Sequence, residues 1–236
     1  MAGLLILSLS MVSTAVAQSK YRLEVPAPPA KFLNGIAVGV DGVGFGMKLA
    51  GGRYANMEVL GRINLLEKYF PIVELGIGEC SRTGEEQSTV FQTRAPYYRA
   101  GMDYCLTKKR NGNRLFLGLR YGFSQYNYDY SNPDFKDPYW GGVQGTNIED
   151  IKAHTHWMEI CLGIETKLWK YIRMGWSFRY KSRLAQSACP HGEAWYVPGY
   201  GKNGGTTFGG TVNLVFEFQS KKAINFAKQK TLPIKQ

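Results

Sequence analysis

The sequence predicts an all-β protein: an eight-stranded antiparallel up-and-down transmembrane β-barrel with short periplasmic turns and long extracellular loops. Three observations predict it. About eight stretches alternate apolar with polar residues, the period of two that gives a strand two different faces. The gaps between them run short, long, short, long, which is the asymmetry of outer-membrane barrels. The composition also fits, with 15 Tyr, 12 Phe, 5 Trp and 28 Gly in 236 residues. Aromatic side chains gather where lipid meets water, and glycine sits where strands crowd or turn.

The chain opens on an export signal. Leu4 to Ala17 is apolar, and Ala15-Val16-Ala17 fits a small-residue cleavage site. Residues 1–17 therefore read as a signal peptide for the general secretory route, with the bacterial outer membrane as destination. No Lys or Arg precedes the apolar run, so either the true start lies upstream or the α-amino group supplies the charge. No Cys follows the cleavage site, which argues against a lipoprotein. The run is too short for a spanning helix of about 20 residues, and no other stretch is long or uncharged enough. Residues 18–33 form a lead-in rich in proline (Pro26, Pro28, Pro29), 34–219 the barrel, and 220–236 a basic tail; lead-in and tail are expected in the periplasm.

The strands are expected at Asn34–Phe45, Tyr54–Leu65, Pro71–Arg82, Thr93–Thr107, Arg114–Tyr130, Ile151–Leu168, Tyr171–Leu184 and Thr206–Gln219. Each supplies the 9–11 residues, roughly, that a tilted strand needs to cross. The gaps at Glu67–Phe70, Lys108–Asn113 and Trp169–Lys170 are tight. Those at Thr83–Gln92, Ser131–Asp150 and Ala185–Gly205 are long.

Parity assigns the faces. In the sixth strand Met158, Ile160, Leu162 and Ile164 oppose Glu159, Cys161, Gly163 and Glu165. In the seventh Ile172, Met174, Trp176, Phe178 and Tyr180 oppose Arg173, Gly175, Ser177, Arg179 and Lys181. The second face reads as polar throughout. A soluble sandwich or lipocalin-like barrel would turn its apolar face inward. The regular large residues Trp176 and Phe178, and aromatic turns such as Tyr69-Phe70, favour an apolar face turned to lipid.

The inward set is then Glu58, Arg62, Glu74, Arg99, Asp103, Arg120, Glu159, Glu165, Arg173, Arg179, Lys181 and Glu217. An eight-stranded barrel is just wide enough for side chains to fill it, and open channels need about 16 strands. Buried charges must pair, because stranding one costs several kcal/mol. The expectation is a salt-bridged polar filling, with a narrow ion path or proton-transfer cluster as the functional alternative.

The net charge of +11 lies mostly on the short-turn side and tail, with acids such as Glu85, Asp137 and Glu149 in the long loops. It reads as a solvated rim or as a docking surface for an acidic periplasmic partner. Nucleic acid is not an expected partner, since no binding module is present. The four cysteines lack metal spacing. Cys105 and Cys161 read as small core residues. Cys80 and Cys189 should share the outer side, either as a disulfide or as two thiols. His154 and His156, with Ser187 and His191, could serve a lipid-modifying enzyme only if a base reaches a nucleophile, and the histidines lack diagnostic metal spacing. No catalytic residue, metal or cofactor is expected, and no small-molecule substrate is identified.

The long loops carry stiff aromatic segments, Asp137 to Gly142 and Ala194 to Gly201. Tyr139, Trp140, Trp195, Tyr196 and Tyr200 are candidates for partner contacts. A compatible reading is that these loops pack on one another as a cap over the barrel.

Several segments carry a family resemblance: Phe32 to Asp41, Lys68-Tyr69-Phe70-Pro71, Asp137 to Gly142, and Trp195 to Lys202. With them the chain resembles a family of small eight-stranded outer-membrane barrels of anaerobic Gram-negative bacteria, similar in architecture to the OmpA and OmpX barrels. The resemblance covers most of the chain after the signal and implies no catalytic residue. It implies a structural or accessory role in an outer-membrane complex, with barrel assembly as one setting. The leading expectation is a non-enzymatic barrel contacting outer-membrane lipid and protein partners through its loops, wall or tail. The alternatives are a lipid-modifying enzyme and an adhesin-like surface binder.

Overall fold

The structure, a computed structural model, describes residues 32–49, 54–83, 90–107, 112–132, 146–187 and 193–219. The signal segment, most of the lead-in, the basic tail, Tyr139, Trp140, Cys189 and His191 lie outside the described residues.

The elements are β1 (Leu33–Asp41), α1 (Gly42–Leu49), β2 (Tyr54–Leu65), β3 (Tyr69–Thr83), β4 (Val90–Cys105), β5 (Arg114–Asn132), β6 (Thr146–Lys167), β7 (Ile172–Gln186), β8 (Tyr196–Val197), β9 (Gly201–Lys202) and β10 (Thr206–Gln219). Eight of the strands close into an antiparallel barrel in the order β1-β10-β7-β6-β5-β4-β3-β2, and β8 and β9 form a separate two-stranded ribbon. Closure removes every free sheet edge that a full-height strand would leave. Followed round the ring from Val38, the register passes through Gly61, Val73, Ala100, Tyr121, Met158 and Ser182 to Thr206. Extended in that register, β1 would meet Thr206 at position 48 instead of 38. A stagger of this size goes with strands tilted by about 40° to the barrel axis.

Parity holds along the wall. Trp176 is 56 % exposed and Phe178, two residues on, is exposed too, while the alternating Ser177 and Arg179 are buried. Ile160, Leu162 and Ile164 on β6, and Leu117, Leu119 and Tyr121 on β5, face outward in the same way. The short-turn end is rimmed by Tyr69, Leu168, Trp169 and Tyr171, all exposed.

Three expectations are corrected. The first strand stops at Asp41, short of Phe45, and the chain turns into α1. Continued as a strand, the chain would present only Gly42, Gly44 and Gly46 on the outward face, where the other strands carry large apolar residues. Asp41 starts the helix by capping it, its Oδ1 accepting the Val43 N–H at 3.0 Å. Secondly, the last long gap, read without strands, contains a short ribbon, since β8 and β9 pair within it through Tyr196–Lys202 and Val197–Gly201. Thirdly, the inward face is not polar along its whole length. At the outer end it carries Phe91, Ala95, Tyr97, Tyr126, Tyr128, Ile151, Ala153 and Trp157, which form an apolar cluster with Ala194, Tyr196, Val197 and Tyr200.

Candidate functional site

The lumen is filled in three tiers, built by strands below and by a returning loop above. At the short-turn end, Arg62 on β2 grips Glu165 on β6 with two nitrogens, at 2.5 and 3.0 Å. Arg114 on β5 grips Glu217 on β10 in the same way, at 2.8 and 3.0 Å. Arg173 on β7 lies between them, with Nε 3.4 Å from Glu165 and 3.6 Å from Glu217. Its Nη2 donates to the Gly112 carbonyl at 2.8 Å. Phe70 and Phe116 pack edge to face at 5.0 Å under the Arg62 guanidinium.

The middle tier turns on Glu74, whose side chain is fully buried. Arg179 Nη1 donates to it at 2.7 Å. Arg99 Nε and Arg120 Nε each lie 3.0 Å from it, as charge contacts without hydrogen-bond alignment. Arg99 also pairs with Glu58, and with Glu159 at 3.1 Å. Arg120 pairs with Asp103 at 3.1 Å, and Arg179 with Glu159 at 3.3 Å and Glu58 at 3.4 Å. Two aromatic donors close the tier from above: Tyr97 Oη to Glu58 at 2.9 Å and Trp157 Nε1 to Glu159 at 2.7 Å. Between the tiers, beside Arg62, Asp103, Arg120 and Glu165, lies a cavity of about 30 Å³, the room of one water molecule.

The outer tier is a plug. The loop from β7 to β10 dips into the mouth, and Lys181 Nζ donates to the carbonyls of Gly199 at 2.6 Å and Tyr200 at 3.1 Å. Gly199 has φ +78° and lies so close to the Tyr97 ring that a Cβ would overlap it. Trp157, fully buried, meets the Tyr200 ring edge-on at 5.8 Å, and Tyr196 Oη donates to Asn56 at 2.8 Å. Burial raises the Tyr200 phenol above its usual pKa.

All twelve charged residues named from parity (Glu58, Arg62, Glu74, Arg99, Asp103, Arg120, Glu159, Glu165, Arg173, Arg179, Lys181 and Glu217) are brought together in this filling. Parity reasoning left out Arg114 and Asn64, although Arg114 shares the parity of Arg120 on the same strand. It also left out Tyr97 and Trp157, which share the parity of Arg99 and Glu159. The partner-contact candidates fare differently. Tyr196 and Tyr200 are buried in the plug, so their surfaces are already used within the barrel. Trp195 packs against the same cluster with Arg82 over its ring at 4.3 Å. Cys80, Cys105 and Cys161 are free and buried.

The histidine region has other attachments. His154 offers its main-chain N–H, at 3.0 Å, to Ser187 Oγ. His156 Nδ1 is bonded to Tyr121 Oη at 2.6 Å on the outer face. Among the described residues no group of three or more His, Cys, Asp and Glu is placed to hold a metal ion.

Among solved structures the chain is similar to the crystal structure of a major outer membrane protein from Thermus thermophilus. Identity is 11%, 79% of this chain and 98% of that one are covered, and the TM-score is 0.39. So distant a likeness carries no functional argument. No curated protein matches the chain. A family model does, over residues 3–219, and the chain belongs to that family, described as a domain of unknown function (DUF6048).

Proposed function

We propose that the protein is an integral outer-membrane β-barrel, closed to diffusion and non-enzymatic, that serves as an accessory subunit of an outer-membrane complex. The observation that carries this reading is the polarity of the barrel. Arg, Glu and Asp are buried inside, while Leu, Ile, Val, Trp and Phe are exposed outside. A contiguous apolar surface of this extent is an aggregation hazard in water and a solvent match in lipid. On β5 the outward residues run apolar from Leu115 to Phe123 before Gln125. At about 3.3 Å per residue and about 40° of tilt, that stretch spans roughly 20 Å along the axis, near the height of an outer-membrane apolar band.

The filled lumen supports the rest. Among the described residues, two ionic tiers and an aromatic plug fill the lumen, which argues against solute passage and against a substrate chamber. A barrel with a plugged interior can still act through its wall, its loops or its basic tail.

The test is expression in a Gram-negative host with fractionation. The expected protein sediments with outer membranes, resists carbonate and runs faster on gels before heating than after. Trp176→Arg should cost about 2–4 kcal/mol of barrel stability, as a cation on a lipid face does. A protein that stays soluble without detergent removes the membrane reading. Recovery as a lone monomer after mild extraction removes the accessory-subunit reading.

A further inference from the structure

The two rims of the barrel differ in charge. At the outer end the described residues mix both signs: Arg94, Lys152 and Lys202 are exposed, and so are Asp129, Glu149 and Asp150. At the short-turn end Lys68, Lys167 and Lys170 are exposed, and none of them has a carboxylate partner among the described residues. The acid described on that rim outside the ionic tiers is Glu67, half-buried with its Oε2 enclosed.

Two of these lysines stand on aromatic rings at the edge of the apolar wall. Tyr69 on β3 and Tyr104 on β4 are cross-strand partners, edge to face at 5.5 Å. Lys68 Nζ lies over the Tyr104 ring, 5.2 Å from its centre. In the turn from β6 to β7, Lys170 Nζ lies 5.3 Å from the centre of the Tyr171 ring. Lys167 and Lys170 flank Leu168 and Trp169, and Trp169 is 76 % exposed. Past the turns the exposed side chains become apolar at once: Val73 on β3, Met102 on β4, Ile164 on β6 and Met174 on β7. Cation, ring and apolar wall thus follow one another along the barrel at two places on this rim.

Tyrosine and tryptophan settle where lipid meets water, and a lysine stem laid over such a ring carries its ammonium into the headgroup layer. There each ammonium favours an anionic lipid by about fivefold. A zwitterionic lipid brings its own ammonium, which offsets its phosphate. A lipid of net negative charge leaves its phosphate to the lysines while its acyl chains lie on the wall. An acidic soluble protein would match the lysines but not the apolar wall that begins beside them.

We propose that the short-turn rim is a binding site for anionic phospholipid of the periplasmic leaflet. Lys68 over Tyr104, and Lys167 and Lys170 beside Trp169 and Tyr171, hold the lipid phosphates. This rests on the reading of the protein as a membrane barrel, and it adds the class of lipid bound and the end that binds it.

The test folds the full-length protein into vesicles of phosphatidylcholine and phosphatidylglycerol, with bromine on the acyl chains of one lipid or the other at equal mole fraction. Bromine quenches tryptophan on contact, and the difference between the protein and its Trp169→Phe variant isolates Trp169. Leu106→Trp in the Trp169→Phe background reads the Lys68 side. Gel mobility before and after heating reports whether each variant inserts. The expected result is phosphatidylglycerol enriched about fivefold or more over phosphatidylcholine at both reporters. The enrichment falls in about 0.5 M salt, where the screening length is roughly 4 Å. It is lost at Trp169 in Lys167→Gln with Lys170→Gln, partly lost in Lys170→Gln alone, and lost at the second reporter in Lys68→Gln. It is kept when Arg94, Lys152 and Lys202 at the outer end are changed to glutamine. Equal quenching by the two lipids, an enrichment that survives the short-turn variants, or one that the outer variant removes overturns the lipid site while the membrane reading stands. Capture of an acidic protein by the lysines without any lipid preference does the same. A chain that never enters the vesicles overturns both.

Discussion

The two ends of the lumen are filled by opposite means. At the short-turn end, side chains fixed on five strands pair across the bore, Arg62 with Glu165 and Arg114 with Glu217, and the β4–β5 connection adds the Gly112 carbonyl that accepts from Arg173. At the outer end, the strands contribute mainly aromatic and small residues, and the filling is a loop that returns into the barrel: Ala194, Tyr196, Val197 and Tyr200 against Tyr97, Tyr126 and Trp157. The first arrangement cannot be removed without opening the barrel. The second is attached through Lys181, through Arg183 to Glu193 and Asn203, through Arg82 over the Trp195 ring, and by packing. The barrel therefore holds an ionic core built by its own wall beneath a plug supplied by a separate stretch of chain.

The sharpest way to break this contrast is at the hub of the core. Glu74 faces three guanidiniums and has no exposed surface. Glu74→Ala leaves those charges short of a counter-ion and should cost about 3–5 kcal/mol, read as a lower urea midpoint for the barrel folded in detergent. Loss of plug order with the barrel midpoint unchanged would show that the ionic core is not what holds the wall.

Next comes the fastening between the two regions. Lys181→Met removes a charged donor from two plug carbonyls. It should weaken plug docking by about 1.5–3 kcal/mol. The readout is faster thiol labelling of a Val197→Cys probe, with little change in the barrel's own midpoint. Gly199→Ala acts on the plug backbone. At φ +78° against the Tyr97 ring, an alanine meets both strain and collision, about 1–2 kcal/mol from the left-handed conformation. Protease cleavage in the loop should rise while the core strands stay protected.

The contrast also explains what sequence reading could reach. Strands obey a period of two, so the wall, the facing of Trp176 and Phe178, and the ionic residues all followed from parity. The plug does not obey it. Tyr97 and Trp157 share the parity of Arg99 and Glu159 but are aromatic, and a rule that sends large aromatic residues to lipid cannot see them as lumenal. Their partners are set by a loop whose return depends on long-range packing. The glycines held the missing signal: Gly76 and Gly199 make room for the Tyr97 ring, and Gly122 for the Trp157 indole. Likewise the end of β1 was marked by Gly42-Val43-Gly44-Phe45-Gly46, where the small residues fall on the face that should have been large.

The smallest expected effect lies in the ionic region itself, at Arg173. Its two carboxylate contacts are longer than those of Arg62 and Arg114, and each carboxylate keeps a two-nitrogen grip from another arginine when Arg173 is removed. Arg173→Met should therefore cost about 1 kcal/mol or less, because it strands no buried charge. Arg62→Met removes the stronger grip on Glu165 and should cost several times more. The two variants measured side by side in urea decide whether redundancy or mere burial sets the strength of the core. Equal losses would mean that the whole tier responds as one unit, and that no single pair within it can be ranked.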